Sequence, residues 1–136
     1  MIHVEWANKD HSCIIWTFSD DWKWEHFKLA QQTVGVMIGS VEGYVDQILI
    51  ACPRQHLPPA ALSHLRKAFE YIHPRSRLII IVGSDTLLSL MLNTLMQILQ
   101  AKILHFAPTK QAAFDLIAAY NDQQKKMANS RIARNQ

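Results

Sequence analysis

Two unbroken apolar runs constrain this chain more than any other feature: Ile48-Leu49-Ile50-Ala51 and Leu78-Ile79-Ile80-Ile81-Val82. Continuous apolar runs of this kind read as strands buried on both faces. Such strands belong to a largely parallel sheet with helices packed on it. The rest of the chain can be arranged around these two segments.

Turn residues divide the chain into a regular alternation. Ile2–Trp6 and Cys13–Phe18 flank Asn8-Lys9-Asp10 and read as a β-hairpin. Ser19-Asp20-Asp21 offers N-capping side chains before a helix from about Trp22 to Ile38, whose stripe is Trp24, Phe27, Ala30, Val34 and Met37. Val45–Ala51 is the next strand. A loop follows over Cys52 to Leu57, and Pro58-Pro59 opens a helix with the stripe Leu62, Leu65, Phe69 and Ile72. The strand Leu78–Val82, the helix Thr86–Gln100, the strand Ile103–Phe106 and a last helix after Pro108-Thr109 complete the order β-β-α-β-α-β-α-β-α. Three strand-helix-strand steps predict parallel neighbours, and the hairpin adds an antiparallel pair. The expected fold class is therefore α/β: a single mixed, mostly parallel sheet with a leading antiparallel hairpin and four main helices.

The length of 136 residues fits one domain, and 49% hydrophobic content supplies a core for it. The net charge of +3 is unevenly placed. Lys125, Lys126, Arg131 and Arg134 lie beyond residue 122 without any acid, which leaves residues 1–122 at −1. The reading is a folded domain over 1–122 and a basic, flexible tail over 123–136. Contact of that tail with phosphate or an anionic membrane is the sharper alternative. The body has no single-sign excess to steer nucleic acid, so nucleic acid is not the expected partner. Cys13 and Cys52 form no disulfide framework, and the N-terminal residues do not read as a signal peptide. The longest uncharged stretch, Thr86 to Ala101, contains Ser89, Asn93, Thr94, Gln97 and Gln100, which argues against a membrane span. A cytoplasmic, non-membrane-spanning protein is expected.

The pattern resembles the STAS domain, and within it the SpoIIAA-like, STAS/SEC14-type group of bacterial proteins. The residues that carry the likeness are Ile14-Ile15-Trp16 ahead of Asp21-Trp22-Lys23-Trp24-Glu25, Pro58-Pro59-Ala60-Ala61-Leu62 ahead of a helix, and Ile79-Ile80-Ile81-Val82-Gly83 ahead of another. Ile103-Leu104-His105-Phe106, followed by Thr109 to Ala119, completes it. It spans roughly residues 10–120 and rests on hydrophobic, positional features, which specify fold better than function. In anti-sigma-factor antagonists of this family an Asp-Ser-x-Gly segment carries a serine that a partner kinase phosphorylates. Pro59 falls at that position, and Ser63 is the nearest hydroxyl, about one helical turn on. The resemblance therefore implies a docking protein without the phosphoswitch.

Motifs for chemistry are sparse. The glycines at 35, 39, 43 and 83 make no phosphate-binding loop. Cys52 has Pro58, not arginine, six positions on, which removes the phosphatase-loop reading. The seven histidines are dispersed without metal-ligand spacing, and Asp20-Asp21 reads as capping, not as a catalytic pair. No catalytic, metal or cofactor residues are assigned, and the chain is not read as an enzyme.

Surfaces are more informative. On a helical wheel, the polar residues of Thr86–Gln100 cover only about a third of the circumference, while a helix on a sheet needs an apolar arc of roughly 100–140°. Met91, Leu95 and Leu88 are placed at the centre of the apolar arc, with Leu90, Leu92 and Met96 as its surplus flanks. The expected partner-binding residues are these flanks together with the loop Arg54, Gln55, His56 and Leu57. The expected function is a non-catalytic interaction or regulatory module whose partner is another protein or a second copy. A carrier or sensor of a small lipophilic ligand is the alternative.

Overall fold

The computed structural model describes residues 1–51, 58–83, 86–99 and 103–134. In it the two apolar runs lie side by side. The elements are β1 (Ile2–Trp6), β2 (Cys13–Phe18), α1 (Trp24–Gly39), β3 (Val45–Ile50), α2 (Ala61–Glu70), β4 (Ser76–Val82), α3 (Thr86–Leu99), β5 (Leu104–Ala107) and α4 (Lys110–Arg134). The class is α/β. One five-stranded sheet runs in the order β1-β2-β3-β4-β5, with β1 antiparallel to β2 and every other neighbouring pair parallel.

Strand order decides which face each helix covers. Parallel strands added one after another in one direction, through crossovers of one hand, place every crossover helix on the same face. The three crossover helices do share a face. α1 packs Ala30, Val34 and Ile38 against Ile14, Trp16 and Val45. α2 and α3 bring Leu65, Leu92 and Leu95 onto Ile79, Ile81 and Leu104. The opposite face then needs its own cover, and α4 provides it. Ala113, Phe114, Ile117 and Tyr120 pack with Cys13, Ile15, Ile48, Ile80 and Val82. Ile48 and Ile80 are fully buried as a result. On β1, by contrast, His3 and Glu5 alternate outward and stay exposed.

Two polar residues of β3 fix its neighbours. Asp46 is only 2% exposed. Its carboxylate accepts hydrogen bonds from Arg77 Nε (3.0 Å), Arg77 Nη2 (2.6 Å) and the backbone N–H of Leu78 (3.1 Å). The β3–β4 register slips here, Val45 opposing Ser76 while Gln47 opposes Ile79. A bulge leaves a residue unpaired in the ladder. The Asp46 side chain supplies the acceptor that the ladder does not give Leu78. On the other face, Gln47 Oε1 accepts from Trp16 Nε1 (3.0 Å), and Gln47 Nε2 donates to Ser76 Oγ (2.9 Å). One amide thus links β2, β3 and β4. Among the described residues, no buried side-chain polar atom lacks a partner.

Helix ends differ from the expected ones for local reasons. α1 starts at Trp24 because Ser19 and Asp21 are engaged by the ammonium of Met1 and do not cap the helix. The Lys23 N–H donates instead to His26 Nδ1 (2.9 Å). Basic residues are missing from the last turn of α1, and Arg75 closes that end by donating to the carbonyls of Ile38 (2.6 Å), Val41 (2.6 Å) and Gly43 (2.9 Å). Pro58 and Pro59 lie outside α2, because Ala60 adopts a left-handed φ of 61° that separates them from the first turn. Leu62, expected on the inner stripe of α2, is 53% exposed. At α4, Thr109 Oγ1 accepts from the Ala112 N–H (3.1 Å) as an N-cap. That helix runs on to Arg134, through most of the segment expected as a flexible tail.

Removing one partner of a buried ion pair typically costs about 3–5 kcal/mol. Arg77 retains a quarter of its side-chain exposure, so Asp46→Ala should lose about 3 kcal/mol, at the low end of that range. The midpoint of urea unfolding measures this. An Asp46→Leu/Arg77→Leu double variant should recover part of the loss but not all, because Leu78 N–H still lacks its acceptor.

Candidate functional site

The C-terminal ends of parallel strands are where open α/β sheets hold their ligands, since the loops and helix starts gather there. Here the end of β2 meets the start of α1, and the start of α1 meets the first turn of α2. Phe18 closes β2, and a run of aromatic rings continues from it. Trp22 lies edge-on to Phe18 (5.2 Å between centroids) and to Trp24 (4.8 Å), and Phe27 sits 5.3 Å from Trp16. Trp22 is buried, which fits its position just before α1.

Trp24 joins this cluster to the β3–α2 connection. Its Nε1 donates to the Pro59 carbonyl (2.8 Å), and its indole stacks on His64 at 4.8 Å with the planes 13° apart. Gln31 Nε2 donates to the Ala68 carbonyl (2.9 Å), about two turns beyond Trp24 on α1 and one turn beyond His64 on α2. α1 therefore holds α2 at two levels. Among the described residues, Ala60, between Pro59 and α2, is one of two non-glycine residues with positive φ, the other being His11 in the β1–β2 turn. A left-handed non-glycine residue costs about 1–3 kcal/mol and persists only where its surroundings enforce it. The Trp24–Pro59 bond and the Trp24–His64 stack, on either side of Ala60, provide that enforcement. The result is a fixed aromatic platform beside the segment that follows β3.

The expected partner-binding residues divide into two groups. Arg54, Gln55, His56 and Leu57 lie outside the described residues, as does Cys52. On α3 the three flanks separate. Leu90 is 60% exposed and Leu92 is 4% exposed. Met96 is half-buried against the cluster of Leu65, Ile79 and Ile81. Leu92 is thus a core residue and is withdrawn from the surface set. The apolar arc of α3 is so wide that composition does not say which part meets the sheet, and the Leu92–Leu95 edge does. Leu95 is buried as expected, and the side chains of Leu88 and Met91 lie outside the described ones.

Two features went unread in the sequence. Its spacing puts Trp24 on the inner stripe of α1, and nothing in that spacing points to Pro59 and His64, 35 and 40 positions away. The Asp46–Arg77 pair left a faint signal: an acid just ahead of one apolar run and a base just ahead of the next, in strands expected to be neighbours.

Among the described residues, three titratable groups are displaced. Burial, and then the neighbouring Asp46 charge, push the Cys13 thiol up from 9.0 to about 12. Asp21 is held down at about 2 by the Ser19 hydroxyl and the N-terminal ammonium. Arg77 is raised by its hydrogen bonds to Asp46. Cys13 is free and buried. Among the described residues, no three His, Cys, Asp or Glu side chains are placed to share a metal ion, and no helix is long and apolar enough to cross a membrane.

No protein-family model matches this chain, and neither a curated protein nor a solved structure does.

The raised thiol gives a pH dependence of definite sign. Below the ordinary value of 9.0, Cys13 is neutral in both folded and unfolded chains, and its contribution to stability is fully present. As pH rises from 9.0 towards about 12, the unfolded thiol ionises while the folded one resists, so stability falls. In a Cys52→Ser background, urea unfolding above pH 9.0 should weaken more steeply with Cys13 present than in the Cys13→Ala variant.

Proposed function

We propose that the chain is a non-catalytic, STAS-like interaction module of the SpoIIAA-like kind, which regulates or scaffolds through protein contacts and associates first with a second copy of itself. The observation that carries this reading is the exposed apolar surface of the α1–α3 layer. Leu29 (62%) and Val36 (74%) on α1, Leu62 (53%) on α2 and Leu90 (60%) on α3 all keep more than half of their area in water. Leu29 and Val36, seven residues apart, lie within about 20° of each other on the wheel of α1, and apolar side chains gathered on one side of a helix and left in water suit a partner contact. Arg54, Gln55, His56 and Leu57, which precede Pro58 and Pro59 in the sequence, are assigned to the same docking role.

The resemblance to anti-sigma-factor antagonists places a phosphorylated serine at Pro59, which has no hydroxyl. Its carbonyl is taken by Trp24 (2.8 Å), so this position serves the architecture of the α2 start. Regulation here works by docking and not by that phosphorylation. Leu92 and Leu95 sit directly on Ile79, Ile81 and Leu104, which favours docking over a lipophilic carrier with a cavity beneath α3. A cytoplasmic setting fits the unpaired Cys13.

Size-exclusion chromatography with light scattering tests the reading. The wild-type protein should show a mass near twice 15.6 kDa at high concentration. Leu29→Ser/Val36→Ser and Leu90→Ser should shift it towards monomer, with melting temperatures little changed because these side chains are already exposed. A wild-type chain that stays monomeric at every concentration contradicts self-association.

A further inference from the structure

The second half of α4 stands apart from the body. The helix has 25 residues, so it is about 37 Å long. Only its first part, from Ala112 to Tyr120, joins the core. From Asp122 to Ile132 every side chain is exposed. This projecting half carries the net positive charge of the chain: Asp122 stands one turn before Lys125 and Lys126, four cations and no further acid follow it, and residues 1–122 sum to −1.

The distribution of these cations selects among anionic partners. At about 100° per residue, Lys125, Lys126 and Arg131 point in three directions separated by about 100°, 140° and 120°. Met127 and Ile132 lie about 140° apart on the same wheel, so they form no common apolar face. A helix that lies on a membrane needs one apolar side, and a coiled coil needs a repeating apolar seam. Neither is present. Cations on all sides of a slender rod suit a partner that surrounds it with negative charge. The major groove of duplex DNA does this: it is about 12 Å wide, admits an α-helix and has phosphates along both walls. Ala128, Asn129 and Ser130 keep the rod narrow between the cations.

We propose that the projecting half of α4 is a nucleic-acid-binding arm that enters the major groove of duplex DNA, with Lys125, Lys126 and Arg131 on phosphates. The mildly acidic body stays outside the groove. This goes beyond the docking reading and does not depend on it, because the arm and the α1–α3 layer share no residue, and it reverses the expectation that nucleic acid is not a partner, which weighed only the charge of residues 1–122.

Fluorescence anisotropy with a labelled duplex of about two helical turns, titrated between roughly 20 and 200 mM salt, tests the arm. Three phosphate contacts predict a log–log salt slope of about −3 for the wild-type chain. The Lys125→Gln/Lys126→Gln/Arg131→Gln variant should bind at least about tenfold more weakly, with the slope falling towards zero and the melting temperature unchanged. Ala128→Pro keeps every charge but breaks the projecting helix. It should also lose most of the affinity. Full affinity in Ala128→Pro would overturn the groove-bound helix, since charge alone would then suffice. No wild-type binding at the lowest salt, or tighter binding to phosphatidylserine vesicles than to the duplex, would overturn the proposal outright.

Discussion

The fold depends on the two polar residues buried in β3. Asp46 and Gln47 are adjacent, so they project to opposite faces of the sheet, and each is satisfied by partners from another strand. A polar group buried without a partner costs roughly 1–3 kcal/mol, and a buried charge costs more. Any slip of β3 against β4 would strand both at once. Apolar strands alone do not define register sharply when both faces are buried, because every alternative still hides the same greasy surface. The carboxylate and the amide remove that ambiguity. The β4 bulge follows from the same requirement, since it brings Leu78 N–H to Asp46.

Topology does the rest. Because strand order follows chain order, the crossover helices collect on one side and leave the other to a single C-terminal helix. Tyr120 of α4 lies over the Arg77 guanidinium, 4.8 Å from ring centroid to carbon. The buried ion pair is therefore roofed by the helix that completes the core. The same helix then continues past the sheet as an exposed, basic rod. The exposed apolar side chains of α1–α3 and the basic end of α4 consequently belong to different elements, each left without further cover by the strand order.

Much of this was legible in the sequence. Continuous apolar runs marked β3 and β4, alternation and a turn marked the hairpin, and the order of elements gave a mixed sheet with four helices. Local signals stopped at the helix ends. Ser19 and Asp21 have capping side chains, but a distant Met1 claimed them. Pro58 and Pro59 look like a helix start, but left-handed Ala60 intervenes. The site was harder still. The Trp24–Pro59–His64 assembly joins residues 35 to 40 positions apart, a distance that no periodicity reports. Leu92 and Leu90 look alike on an almost wholly apolar helix, and only the sheet beneath distinguishes them. Polar, charged composition suggested a loose tail after residue 122, yet with neither proline nor glycine to stop it the helix carries on.

Amide hydrogen exchange by NMR tests the central role of β3 most directly. The account predicts that Ile48, Leu49, Ile80 and Ile81 are among the slowest-exchanging amides of the native protein. It further predicts that Asp46→Ala lowers protection across β3 and β4 while the fold persists. Slowest exchange in the helices, with strand protection unchanged by that substitution, would contradict it.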